Sequence, residues 1–126
     1  MKKLLLPLLC AGLVSFGAAT ASAQTADKAP KSVIHVVTVD YKAGTTEAQI
    51  KAAADGAHKL TADPKSGVTR VWTRVIKNQS GKQHIIVMEF ASEKALADYA
   101  DSPSQTAWYK SYLSIRDSSA TSDITN

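Results

Sequence analysis

Cysteine is almost absent. The single one, Cys10, sits in an N-terminal leader, so the rest of the chain has no disulfide to staple it. There is no glycine-rich phosphate loop and no serine-nucleophile elbow, which leaves nucleotide-binding and hydrolase chemistry without support. There is also no H-E-x-x-H pattern and no carboxylate cluster. His58 has Ala62, not a ligand, one helical turn on, so neither a metal nor a cofactor is expected. The formal net charge is +4 and no basic run occurs, which argues against nucleic acid and anionic membranes as partners. After residue 23 no apolar stretch reaches the roughly 20 residues needed to cross a bilayer.

The first 23 residues follow the order of a cleavable signal peptide. Lys2 and Lys3 open it, Leu4 to Phe16 is an uncharged, mostly apolar run, and Ala21-Ser22-Ala23 precedes Gln24. Pro7 and the Ser/Thr-rich end weaken the alternative of an uncleaved anchor. The mature chain is expected to begin at Gln24 and to work in the periplasm or outside the cell. It keeps about a hundred residues, enough for one domain with a modest core.

Residues 24–32 are polar, contain Pro30 and read as a flexible lead-in to a domain over 33–126. Val33 to Tyr41 (VIHVVTVDY) reads as a buried strand. Thr46-Glu-Ala-Gln49 has the form of a capping box opening a helix with Ile50, Ala53, Ala57 and Leu60 on one side. Asp63-Pro64 and Gly67 end that helix. Val68 to Ile76 and Gln83 to Phe90 form a hairpin around Asn78–Gly81. A helical stretch runs from Ser92 through Ala100. Ser102-Pro-Ser-Gln105 is a second capping box, opening a helix with Trp108, Tyr112 and Ile115 on one face. A short strand is expected around Thr121 to Thr125.

The order β-α-β-β-α-β predicts an α+β, ferredoxin-like fold with an antiparallel sheet. An internal match supports it: His35-Val-Val-Thr-Val-Asp-Tyr41 and His84-Ile-Ile-Val-Met-Glu-Phe90 agree in chemical type position by position. Two helices cover only one face of such a sheet. Alternation puts Ile34, Val36, Thr38, Ile85 and Val87 on one face. His35, Val37, Val39, His84, Ile86, Met88 and Phe90 fall on the other. Both sets are largely apolar. The larger side chains are expected to meet the helices, and the smaller set to meet a second copy of the chain.

The chain resembles the stress-responsive A/B-barrel proteins of the dimeric α+β-barrel superfamily. The resemblance rests on His35-Val-Val, on Thr45 to Gln49, on His84 to Ser92 and on Tyr99-x-x-Ser-Pro103. It implies a homodimer whose two sheets face each other in a barrel. That group includes plant polyketide cyclases, cofactor-independent monooxygenases and haem-degrading enzymes, so fold does not dictate activity. The resemblance implies a catalytic role for His84 and a pocket position for His35. The His-Pro common before the last helix of the family is Ser102-Pro103 here.

These residues point to three functions. The first is a small-molecule-binding module taking an apolar or aromatic ligand in a pocket of His35, Trp72, Met88, Phe90 and Tyr112. The second is a cofactor-independent enzyme acting on an aromatic or polyketide-like substrate, with His84 as general acid/base and Tyr112 or Asp123 within its reach. The third is a structural dimer. Each histidine starts its own antiparallel strand, so the two are expected on the order of 15–20 Å apart.

Overall fold

The computed structural model describes residues 31–78 and 81–125. The segment over 1–23 expected to be a signal peptide, most of the lead-in and the tip of the hairpin turn lie outside the described residues. The elements are β1 (Val33–Tyr41), α1 (Glu47–Lys59), β2 (Val68–Asn78), β3 (Gly81–Phe90), α2 (Glu93–Tyr99), α3 (Pro103–Ile115) and β4 (Arg116–Ile124). Two 3-10 turns, Leu60–Ala62 and Pro64–Ser66, link α1 to β2. The strands form one antiparallel sheet in the order β2-β3-β1-β4, with the helices on one face. The fold is α+β and ferredoxin-like, as the sequence predicts. No described helix is long and apolar enough to cross a membrane.

The helix starts follow from their caps. Thr46 accepts from the Gln49 amide while the Gln49 side chain accepts from the Thr46 amide, a complete capping box. The second box is only half formed. Ser102 Oγ accepts from the Gln105 amide, but Gln105 Oε1 accepts from the amide of Asp101. The Ser102 amide is already committed to Tyr99 O, and Asp101, at φ 61°, presents its own N–H instead. Gly67 ends the α1–β2 connection at φ 70°, and buried Ser66 ties it down by donating to Leu60 O and accepting from the Val68 amide.

The sheet's larger residues meet the helices. Val33, Val37, Val39, Ile86, Met88 and Phe90 pack with Ala57 of α1, Leu60 of the 3-10 turn that follows it, Tyr99 of α2, and Trp108 and Tyr112 of α3. Trp108 Nε1 donates to Ala53 O at 2.9 Å and so pins α3 to α1. Gly56 lies beneath the indole, where a Cβ would come within 3.0 Å of Trp108 Cδ1. Ile34, Val36, Thr38, Ile85 and Val87 line the opposite face, half-buried by one another with no helix over them.

The last strand differs from expectation. It begins at Arg116, immediately after α3, and pairs with β1 from Tyr41↔Arg116 to Ile34↔Ile124. Its sequence, RDSSATSDI, is polar because almost all of it is exposed along the sheet edge, so its hydropathy gave little strand signal.

Candidate functional site

The β1–β4 register sets His35 directly opposite Asp123. Their side chains meet on the helix-covered face, with His35 Nδ1 2.6 Å from Asp123 Oδ1. In the neutral imidazole, a carboxylate against Nδ1 favours the tautomer with its proton there and its lone pair on Nε2. The Phe90 ring stands perpendicular to the imidazole, with centroids 6.0 Å apart and planes at 88°.

This pair borders a cavity of about 280 Å³ between β1 and β4 on one side and α2 and α3 on the other. Tyr99, Gln105, Trp108, Tyr109, Tyr112 and Arg116 supply most of its walls. On α3, Gln105, Tyr109 and Tyr112 recur at spacings of four and three, so one stripe faces the cavity. Trp108 stacks on Tyr112, with centroids 4.6 Å apart and planes at 12°. Gln105 donates to Tyr109 Oη at 3.2 Å.

The hydroxyls of Tyr99 and Tyr112 are buried without a hydrogen-bond partner, and each residue is only 2% exposed. Leaving such a group unpaired costs about 1–3 kcal/mol. Burial pushes the phenol of Tyr99 far above its ordinary value, and burial also raises that of Tyr109. Both stay protonated across the physiological range and so keep a hydroxyl proton to donate.

His84 lies elsewhere. It pairs with Val39 while His35 pairs with Met88, so the two histidines sit four residues apart along the sheet, about 13 Å. That is shorter than the roughly 15–20 Å expected, because the β1–β3 register offsets the two histidines by four residues and not six. His84 borders a second, more open groove of about 340 Å³ under α1, with Tyr41, Ile50, Lys51, Thr73 and Arg74. Its ring meets Tyr41 edge-on at 4.8 Å. The polar partners expected beside His84 are not there: Tyr112 and Asp123 both line the His35 cavity. The reason is register. β4 runs along β1 rather than β3, and its one inward-facing carboxylate falls opposite His35.

The predicted pocket set also divides. His35 and Tyr112 line the cavity. Met88 and Phe90 are fully buried core, Phe90 backing the imidazole. Trp72 is on the wrong face: it pairs with Val87, on the side without helices, and Arg70 covers its ring at 4.9 Å. Strand alternation therefore separates Trp72 from His35 by the thickness of the sheet. Tyr99, Gln105, Tyr109 and Arg116 belong to the cavity and were not singled out from sequence as its walls. The α3 stripe was a readable signal for Gln105 and Tyr109. Tyr99 figures in the sequence only as part of the family resemblance, and nothing local marks Arg116.

The sequence profile described as "Stress responsive A/B Barrel Domain" matches residues 33–126. The chain belongs to this family. No curated protein sequence matches the chain. Among solved structures, the A/B-barrel domain is similar to an Arabidopsis thaliana protein at 22% identity, over 75% of this chain and 94% of that one, with a TM-score of 0.66. It is also similar to a hydroxynitrile lyase from Passiflora edulis (16% identity, 75% and 93% covered, TM-score 0.64). A dimeric ferredoxin-like protein from Thermobifida fusca aligns at 12% identity, covering 75% and 91%, with a TM-score of 0.63. At such identities the likeness is one of fold, and the site of this A/B-barrel domain has to be argued from its own side chains.

Proposed function

We propose that the chain is an exported small-molecule-binding A/B-barrel protein, working as a homodimer, whose ligand occupies the cavity beside His35. The observation that carries this reading is the pair of unpartnered phenol hydroxyls, Tyr99 and Tyr112, in the walls of one cavity. A ligand bearing an acceptor oxygen satisfies them and recovers the cost of their burial. The aromatic walls suit an apolar or aromatic body, and a cavity slightly under 300 Å³ suits a small one.

The homodimer is supported by the open sheet face. Ile34, Val36, Ile85, Val87 and Trp72 form an apolar surface that a second copy would bury. One structural relative is itself described as dimeric. Export rests on residues 1–24 and is checked by an intact mass that begins at Gln24.

A second reading is favoured by the 2.6 Å contact between His35 and Asp123. It is that of a cofactor-independent enzyme of cyclase or monooxygenase type on an aromatic or polyketide-like substrate. The acid/base role then passes from His84 to His35. Asp123 orients the imidazole, Nε2 takes or returns a proton, and the tyrosine hydroxyls donate to the oxygen where charge develops.

The test is a thermal-shift screen of aromatic and polyketide-like compounds, followed by titration of the best binder into wild type, His35→Ala and Asp123→Asn. A binding site predicts weaker affinity in both variants with little change in melting temperature. If turnover is found, His35→Ala should cost about a hundredfold to ten-thousandfold in rate. Unchanged affinity in both variants, or a screen in which no compound stabilises the wild type, would remove the cavity from the proposal.

A further inference from the structure

The cavity beside His35 holds a cation that no carboxylate answers. Arg116 opens β4 at the end of α3 and lines the cavity. Its guanidinium lies 5.9 Å from the centre of the Tyr112 ring, and Nη1 donates to Ser119 Oγ at 3.3 Å. Among the described residues it has no ion-pair partner: the pairs present are His35–Asp123, Lys51–Asp55, Arg70–Glu89 and Lys94–Asp98. The residue is half-buried, which makes an unanswered charge costly.

An ordinary structural task does not account for it. A cation at a helix C-terminus commonly serves the last carbonyls. Here Lys42 does that work. Its amide donates to Ile115 O at 2.9 Å and its ammonium to Ser114 O at 2.9 Å. The Arg116 side chain turns instead over Tyr112 at the cavity wall.

The cavity's hydrogen-bonding inventory leans the same way. The phenols of Tyr99 and Tyr112 lack acceptors. Tyr109 Oη accepts from Gln105, so its own proton has no acceptor among these contacts. The one anion on the wall, Asp123, is engaged by His35. Unanswered donors are in surplus, Arg116 is the charge left without an ion pair, and the remaining surface is aromatic or aliphatic.

We infer that the ligand is an organic anion, an aromatic or otherwise apolar carboxylate, with its acid group on Arg116 and its body against Tyr109, Trp108 and Leu96. The inference rests on the reading of this cavity as a ligand site and adds the ligand's charge and the residue that selects for it. A guanidinium suits the task because its planar fork matches a carboxylate.

The test uses paired probes of one shape, 1-naphthoate and 1-naphthamide, with anthracene-9-carboxylate and its amide as a larger pair. Each is titrated calorimetrically into the purified protein. A charge-assisted hydrogen bond of about 1.5–3 kcal/mol predicts that wild type prefers the acid by about tenfold or more. Arg116→Met should abolish that preference and leave amide affinity within about twofold, and Arg116→Lys should restore part of it. Melting curves and an Arg116→Gln variant separate loss of charge from loss of fold. Equal affinity of wild type for acid and amide, or a preference surviving in Arg116→Met, overturns the anion assignment and leaves the cavity reading standing. Failure of all four probes to bind at millimolar concentration overturns both.

Discussion

Replacing Tyr112 by Phe should make the unliganded protein more stable, although it removes a polar atom and adds nothing. The hydroxyl of Tyr112 is buried without a partner in a residue 2% exposed. Its desolvation costs about 1–3 kcal/mol with no bond in return. Phenylalanine keeps the ring, and with it the stacking on Trp108 at 4.6 Å and the Arg116 contact at 5.9 Å. The void left by one oxygen takes back a small part, so a net gain of about 1 kcal/mol is expected. For a domain of this size that is a rise in melting temperature of about 4–8 °C. Tyr99→Phe should behave in the same way, since its ring contact with Phe90 at 5.1 Å is likewise retained. Tyr109→Phe is the control of opposite sign. It strips the acceptor from Gln105 Nε2 and should lower stability by about 0.5–1.5 kcal/mol. Melts followed by circular dichroism at one protein concentration decide the matter. A fall in melting temperature for both Tyr99→Phe and Tyr112→Phe would refute the reasoning, because it would mean that each hydroxyl has a partner. A rise accompanied by weaker ligand binding would mark the hydroxyls as groups kept for function at a cost in stability.

The remaining predictions concern the open face, the helix pair and pH. Val87→Lys puts a charge in the centre of the apolar face and should convert the proposed dimer into a monomer or an unfolded chain, as read by sedimentation; a wild type that sediments as a stable monomer at micromolar concentration would refute the interface. Trp108→Phe removes the 2.9 Å bond to Ala53 O and part of the indole's packing between α1 and α3, and should cost about 1–3 kcal/mol in urea denaturation. The Arg70 guanidinium, bonded to Glu89 at 2.5 Å, holds that carboxyl below the usual glutamate range. A depressed folded-state value means that the stabilisation is complete above the ordinary glutamate pKa and is lost as pH falls through the folded value. Wild type should therefore exceed Glu89→Gln in melting temperature at neutral pH, and the gap should close in acid. A gap that stays constant down to pH 2 would refute the assignment.

Much of the fold was legible in the sequence because its signals are local. The β-branched runs Val33–Tyr41 and Val68–Ile76, the Thr46–Gln49 capping box and Pro103 at a helix start each act within a few residues. Two apolar faces on the central strands, with helices enough for only one, followed from strand alternation alone. The polar edge strand after α3 escaped, since an exposed edge has no need of the hydropathy that marks a buried strand.

The site was decided by tertiary structure. Sequence could nominate His35, His84, Tyr112 and Asp123 as chemically able groups, but not which of them meet. That depends on which strand lies beside β1 and in what register, because a carboxylate reaches only the imidazole placed opposite it. Pairing β1 with β4 hands Asp123 to His35, 88 residues away, and leaves His84 with Tyr41. A one-residue shift in that pairing would turn Asp123 to the other face of the sheet. The β2–β3 pairing, with Trp72 opposite Val87, puts Trp72 across the sheet from the cavity. Packing α2 and α3 over β1 and β4 then strands two phenol hydroxyls without partners and one guanidinium without a carboxylate, a property no residue carries until its neighbours are in place.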